Sequence, residues 1–302
     1  MLVNFTFVGL LAPVFTIFNQ DFSVNLDRIP KYAQYLKESR YDGVLVAATS
    51  GEGTSLSVRE RKNLTEAWAR AVKETKQHLM VQVGGAPIPD VLELARHAEK
   101  IGVDSILTLP ELYFKPKTVQ ELINYMKFIS AAAPNTPLLY YHNILATGIN
   151  IDMAEFLRQS KDQLPNLVGI KYTSNDLVGA YAALTEASSQ GKTVFMGGDY
   201  LLEPAFATGF KSAIATSMSP FPSYAVKMLE AIQNSEIKTA IELQQNLTRI
   251  MDISKRYGSK VATMKLAMNL FTPVNVGLAR PPLQNPSPVN IVEMRTALQP
   301  FL

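Results

Sequence analysis

What most constrains this chain is an alternation: eight short apolar runs, each followed by a longer segment of helical periodicity, fill about the first 230 of its 302 residues. The runs are Val8–Thr16, Gly43–Ser50, Leu79–Gly84, Ser105–Leu109, Pro137–His142, Leu167–Thr173, Thr193–Gly198 and Ser212–Ser217. They are near-continuous in Val, Ile, Leu, Ala and Tyr, as strands are when both faces of a parallel sheet are covered. Between them, Leu92, Ala95, Ala98 and Ile101 make one helical stripe, and Leu122, Tyr125, Met126 and Ile129 another. Ser57-Val58-Arg59-Glu60 reads as a capping box before a long amphipathic helix. Strand and helix in strict turn give a parallel sheet with crossover helices, and eight repeats in this length give an α/β TIM (β/α)8 barrel. The competing doubly wound open sheet usually has fewer strands and often a Gly-rich phosphate loop after the first strand. Here the first run passes into Ile17-Phe18-Asn19-Gln20 instead.

Strand signals stop after about Ser223. Val226–Asn234, Ile237–Tyr257 and Ser259–Phe271 read as helices, followed by the Pro-rich stretch Leu278–Pro288 and a last helix to Leu302. The expected organisation is a barrel catalytic domain over residues 1–225 and a C-terminal helical extension over 226–302. No Gly/Ser linker separates them, so they are expected to pack as one body.

A net charge of +3, with Lys and Arg scattered and no basic run interleaved with aromatics, argues against a nucleic-acid partner. The absence of cysteine removes disulfides, thiolate metal sites and cysteine nucleophiles, and suits a reducing compartment. The apolar stretch Met1–Phe15 lacks the basic start of a signal peptide and contains Pro13, so it reads as a buried first strand. No apolar run reaches the roughly 20 residues that span a bilayer. The expectation is a soluble, cytoplasmic protein with no membrane partner.

Barrel active sites lie at the C-terminal ends of the strands. That rule selects Thr49-Ser50-Gly51-Glu52-Gly53, Tyr113, Tyr140-Tyr141-His142 with Thr147-Gly148, Gly169-Ile170-Lys171-Tyr172-Thr173-Ser174, Gly197-Gly198-Asp199 and Thr216-Ser217. Lys171 stands out, because burial of an unpaired ammonium favours the neutral amine, and a neutral amine attacks ketones to form imines. The plainer alternative is a lysine at the barrel mouth that reaches water or pairs with a carboxylate. Tyr141 is either a proton carrier or an ordinary core tyrosine. Thr49 and Ser50 either present hydroxyls and N–H groups to an anion or serve as turn residues. His78, His97 and His142 show no metal-ligand spacing, and no nucleophile elbow or Walker-type loop is present, so no metal or cofactor is expected.

Taken in order, these motifs resemble the N-acetylneuraminate lyase and dihydrodipicolinate synthase family of class I aldolases. The likeness runs through Gly9-Leu10-Leu11-Ala12-Pro13, Thr49 to Gly53, Leu56 to Arg61, Tyr141-His142, Thr147-Gly148, Gly169-Ile170-Lys171 and Gly277 to Leu283. Within the family it leans towards the animal-type lyases, through Ala131 to Gly148 and Gly53 to Ser57. The resemblance implies an imine with a 2-keto acid on Lys171, with Tyr141 as acid/base for cleavage of the C–C bond. It implies that Thr49 and Ser50 hold the substrate carboxylate, that Gly51 allows close backbone approach, and that Tyr113 lies near the site. Thr173 and Asp199 would contact sugar hydroxyls, and Gly197, Tyr200 and Thr216 complete the implied substrate-binding set. It further implies pyruvate and an amino-sugar or sugar aldehyde as small-molecule partners, and a homotetramer. Three departures bear on the substrate. Ile144 stands where the family's Tyr-x-x-Pro motif has proline, Tyr200 where its lyases usually carry Glu, and Ala215-Thr216 where they carry Gly-Ser. The arginine of dihydrodipicolinate synthase would fall at Ala146, which disfavours that sibling. An aldolase for another 2-keto-3-deoxy sugar acid, or an idle barrel retained as a scaffold, are the alternatives.

Overall fold

The computed structural model describes residues 3–302. Eight parallel strands run in chain order around one sheet: β1 (Leu11–Pro13), β2 (Gly43–Val46), β3 (His78–Gln82), β4 (Ser105–Thr108), β5 (Leu138–Asn143), β6 (Leu167–Thr173), β7 (Thr193–Met196) and β8 (Ser212–Ala213). A parallel bridge between Leu10 and Ala213 brings the last strand back to the first and closes the barrel. Helices α1 (Ile29–Glu38), α2 (Val58–Thr75), α3 (Ile88–Ile101), α4 (Val119–Ala132), α5 (Ile144–Thr147), α6 (Met153–Ser160), α7 (Leu177–Ser189), α8 (Leu202–Ala207) and α9 (Pro222–Gln233) form the outer layer. After them come α10 (Ile237–Lys255), α11 (Lys260–Phe271) and α12 (Pro288–Leu298). The barrel expected from the alternation is the fold that forms, with the helical segment after it.

The ladders are shorter than the apolar runs at both ends of the barrel's closure. Val8–Thr16 contributes only three residues to β1, and Ser212–Ser217 only two to β8. Past Ala213 the chain turns into a short 3-10 segment, Thr216–Met218, that is still largely buried. Apolar content reports burial, and at the barrel mouth burial extends beyond the hydrogen-bonded ladder.

Alternate side chains of each strand go to two different cores. Leu11, Leu45, Met80, Leu107, Leu139, Tyr141, Phe195 and Ile214 fill the barrel interior. Their neighbours, such as Val44, Val46, Ile106 and Ile170, join the large cluster between sheet and helices. The expected capping box starts α2: the Glu60 N–H donates to Ser57 Oγ at 3.2 Å, and the Ser57 N–H to Glu60 Oε2 at 2.8 Å. Thr118 and Glu121 build a second such box at the start of α4. Among the described residues, no helix is long and apolar enough to cross a membrane.

Candidate active site

The site begins with an irregularity in β6. Pairing with β5 steps from Leu138↔Leu167 to Leu139↔Gly169, which leaves Val168 as an extra residue. Val168 belongs to the interior cluster, whereas Ile170 and Tyr172 belong to the outer one. With strict alternation from Val168, Ile170 and Tyr172 would face inward and Lys171 outward. The bulge inverts the phase, and Lys171 enters the barrel; bulges often re-aim side chains in this way.

Lys171 is then the direct register partner of Tyr141 on β5. Both are buried, and the Lys171 ammonium nitrogen stands 4.2 Å from the centre of the Tyr141 ring. The phenol oxygen has two polar neighbours, Thr49 Oγ1 at 3.2 Å and Asn143 Nδ2 at 3.2 Å. Burial alone would raise the Tyr141 pKa. The positive charge of Lys171, with the hydrogen bonds at the phenol oxygen, outweighs it and holds the phenol below its ordinary value. A lysine and a phenol that the lysine's charge biases towards phenolate therefore sit side by side in an apolar barrel, a pair that can exchange a proton and so suits imine formation and proton removal.

Thr49 and Ser50 leave β2 on a loop held under backbone constraint. Ala47 and Glu52, on either side of them, have φ of 57° and 52°, in the left-handed region. A Cβ on Gly53 would come 1.7 Å from the Ala47 carbonyl oxygen, so only glycine closes this turn. Ser50 Oγ donates to Thr216 Oγ1 at 3.4 Å, tying the loop to the one after β8. Thr16 Oγ1 donates to the Gly51 carbonyl at 2.5 Å.

Behind the loop lies an ion pair that sequence reasoning missed. Glu52 and Lys265 of α11 meet at 2.9 Å with both side chains 1% exposed. The Lys265 ammonium also donates to the carbonyls of Thr16 and Leu278, and the Arg280 N–H donates to the second Glu52 oxygen. Burial pushes Lys265 down to about 8 despite the facing carboxylate. Arg280 in turn grips Glu60 with two hydrogen bonds and reaches the Ser55 and Phe22 carbonyls. Glu52, Glu60 and Arg280 all lie in motifs that stand out in the sequence, but their pairing across more than 200 residues does not.

Of the remaining positions, Thr173, Gly197, Asp199 and Tyr200 line a cavity and Thr216 does not; two cavities flank α5. One of about 450 Å³ is bordered by Thr173, Gly197, Asp199, Tyr200, Lys255 and Lys260. The other, about 330 Å³, is bordered by Thr49, Gln82, Ala146, Thr147 and Leu283 among others. Leu145 lines the first and its neighbour Ala146 the second, so α5 stands between them. The Thr173 hydroxyl is buried with no partner, and a Cβ on Gly197 would strike it at 1.8 Å. Asp199 is buried and receives Lys260 at 2.5 Å and the Ser217 N–H at 2.8 Å. Burial alone would raise its pKa, but the Lys260 charge and these hydrogen bonds pull it below the ordinary carboxylate value. Tyr200 donates to Asp252 at 3.0 Å; burial, then that carboxylate, raises its pKa to about 12.

Tyr113 is not brought to this cluster. It is 82% exposed, packed edge-on against Phe114 at 5.0 Å, beside a separate surface cleft. The three histidines lie apart from one another: His78 bonds Ser105, His97 pairs with Glu66, and His142 faces the outer layer 4.9 Å from the Tyr172 ring.

A profile of the dihydrodipicolinate synthetase family matches residues 6–299, nearly the whole chain. The chain belongs to this family. It is 33% identical over 283 residues to the N-acetylneuraminate lyase of Danio rerio, covering 93% of this chain and 92% of that one. Its identity to the N-acetylneuraminate lyase of Homo sapiens is 31% over 280 residues, covering 92% and 88%. The structure superposes on N-acetylneuraminate lyase (sialic acid aldolase) from Aliivibrio salmonicida with a TM-score of 0.92 at 32% identity, covering 98% and 97%. Family membership extends across both the barrel and the helices that follow it.

Proposed function

We propose that this chain is a class I aldolase that reversibly cleaves N-acetylneuraminate to pyruvate and N-acetylmannosamine through an imine on Lys171. The observation that carries the reading is the pairing of Lys171 with Tyr141 inside the barrel mouth, with Thr49 on the phenol oxygen. Likeness to N-acetylneuraminate lyases over more than nine-tenths of the chain supports the substrate. In this reading Thr49, Ser50 and the backbone at Gly51 receive the substrate carboxylate. The neutral Lys171 amine adds to C2 and water leaves, giving a protonated imine. Tyr141 takes the proton from the C4 hydroxyl as the C3–C4 bond breaks, and the bonding pair passes into the imine as an enamine. Protonation at C3 and hydrolysis release pyruvate. Thr173, Gly197, Asp199, Tyr200 and Thr216 face the sugar end.

Pyruvate with borohydride is expected to attach covalently to Lys171, read as a reduced pyruvate adduct by peptide mass spectrometry. A wild-type protein that traps nothing refutes the aldolase reading and leaves the scaffold alternative. Tyr200 and Thr216 favour weighing a second substrate class, because each is bulkier than the residue usual in the family's lyases and Tyr200 is engaged with Asp252. Faster cleavage of shorter 2-keto-3-deoxy sugar acids than of N-acetylneuraminate would move the assignment to that class. We also infer a homotetramer, for which the exposed Tyr113 and Phe114 offer apolar contact surface, and a cytoplasmic location, which suits a chain without cysteine. Light scattering and cell fractionation test these.

A further inference from the structure

We propose that Asn143 is a positioning residue for the acid/base step: its side-chain amide is locked so that it can only donate to the Tyr141 phenol oxygen, holding that oxygen ready to accept a proton. This rests on the aldolase reading and adds to it a residue outside the machinery described so far.

The argument follows from hydrogen-bond polarity. A side-chain amide has one accepting end and one donating end. Asn143 closes β5 and is also the N-cap of α5, where its Oδ1 accepts the Ala146 N–H at 3.3 Å. Its carbonyl accepts Thr147 Oγ1 at 2.8 Å, which fixes the same turn from the other side. With the acceptor end spent on the cap, the Nδ2 end faces Tyr141 at 3.2 Å. Asn143 is itself buried, so water does not readily replace it. An amide N–H cannot take a proton from the phenol. The Tyr141 hydroxyl hydrogen is therefore directed away from Asn143, towards Thr49, whose hydroxyl can donate or accept.

The other groups that face Tyr141 do not supply this constraint. Lys171 on β6 is the charged one; it stands over the ring face and also acts on the phenol by charge and hydrogen bond, but its nitrogen is the atom committed to the imine. From the loop after β2 comes the neutral Thr49 hydroxyl, and Leu107, Leu139 and Phe195 of the interior cluster are apolar. Asn143 is thus the one uncharged group whose hydrogen bond with the phenol oxygen has a fixed direction. It stabilises the deprotonated phenol, the form that accepts the C4 hydroxyl proton.

Asn143→Asp separates the two roles. An aspartate oxygen still caps α5, but the donor at the phenol becomes an acceptor, which disfavours the phenolate. Asn143→Ser likewise keeps a capping oxygen while removing the amide donor. For both variants the expected result is a fall in kcat of about tenfold to a hundredfold, with KM for the keto acid within about twofold. The rising limb of the kcat–pH profile should move to higher pH by about one unit or more, and trapping of pyruvate on Lys171 should persist. Two folded variants whose kcat and pH profile match the wild type, with trapping intact, overturn the role of Asn143 alone. If the aspartate variant does not fold, the serine variant decides. Failure of the wild type itself to trap pyruvate overturns the aldolase reading and this role with it.

Discussion

Replacing Lys265 by Met removes one half of the buried pair behind the Thr49–Gly53 loop. Three hydrogen bonds of the ammonium disappear, to Glu52 and to the carbonyls of Thr16 and Leu278. The Glu52 carboxylate, 1% exposed, keeps only the Arg280 N–H. Breaking a buried pair from one side costs about 3–5 kcal/mol, because a desolvated charge is stranded. With unfolding entropy near 2.1 cal/mol/K per residue, about 4 kcal/mol corresponds to a fall in Tm of roughly 6 °C for a chain of this length. The double variant Lys265→Met, Glu52→Gln removes the stranded charge but keeps an acceptor for the Arg280 N–H, so it should recover more than half of the loss. Lys37→Met serves as the control: its pair with Asp42 is at 2.7 Å, but the side chains are 39% and 72% exposed, and such a pair contributes about 0–1 kcal/mol. The assay is urea unfolding of the four proteins at one pH, followed by tyrosine fluorescence and circular dichroism. A Lys265→Met loss under about 1 kcal/mol, or a double variant no better than the single one, refutes the reasoning.

Two further perturbations probe other layers of the molecule. Burial holds His142 and His78 down to about 4, so below the ordinary histidine value only the unfolded chain takes up their protons. The stability they contribute is whole above pH 6.5 or so and is lost as pH falls towards 4, by up to about 1.4 kcal/mol per pH unit for each histidine. His142→Phe should flatten that slope between about pH 6.5 and 4 by one histidine's share, and unchanged pH dependence in urea titrations would count against it. Gly53→Ala places a Cβ 1.7 Å from the Ala47 carbonyl oxygen and should cost about 3 kcal/mol or more, with loss of pyruvate trapping before loss of the barrel's circular dichroism. An alanine variant with wild-type stability and trapping would show that the loop after β2 has another way to close.

The barrel was legible in the sequence because parallel strands covered on both faces have a distinctive composition, and eight of them in series admit few architectures. The candidate site was legible only as positions: strand ends place Lys171, Tyr141, Thr49 and Ser50 at the barrel mouth, while their proposed roles come from the family resemblance. What could not be read depends on pairing between distant residues. Lys265 is an unremarkable lysine in a largely apolar helix until Glu52 arrives from 213 positions away. Lys260 meets Asp199 across 61 positions, so a carboxylate that reads as open to a sugar is already held by a cation. Asn143 has the sequence signature of an ordinary cap, and its second bond appears only when β5 and its neighbours are assembled. Tyr113 shows the converse: the strand-end rule selects it, yet the loop after β4 carries it to the exposed surface.

The surplus residue in β6 sets what the stretch Gly169-Ile170-Lys171-Tyr172-Thr173 means. Read in one frame, it offers an amine and a hydroxyl to the interior and two large apolar groups to the helices; shifted by one, the same letters would push a tyrosine into the barrel and leave a lysine against the helix layer. Counting, rather than composition, therefore decides whether this strand is machinery or scaffolding. Pairing Val168 instead of Gly169 with Leu139 would exchange the two faces without altering a single side chain.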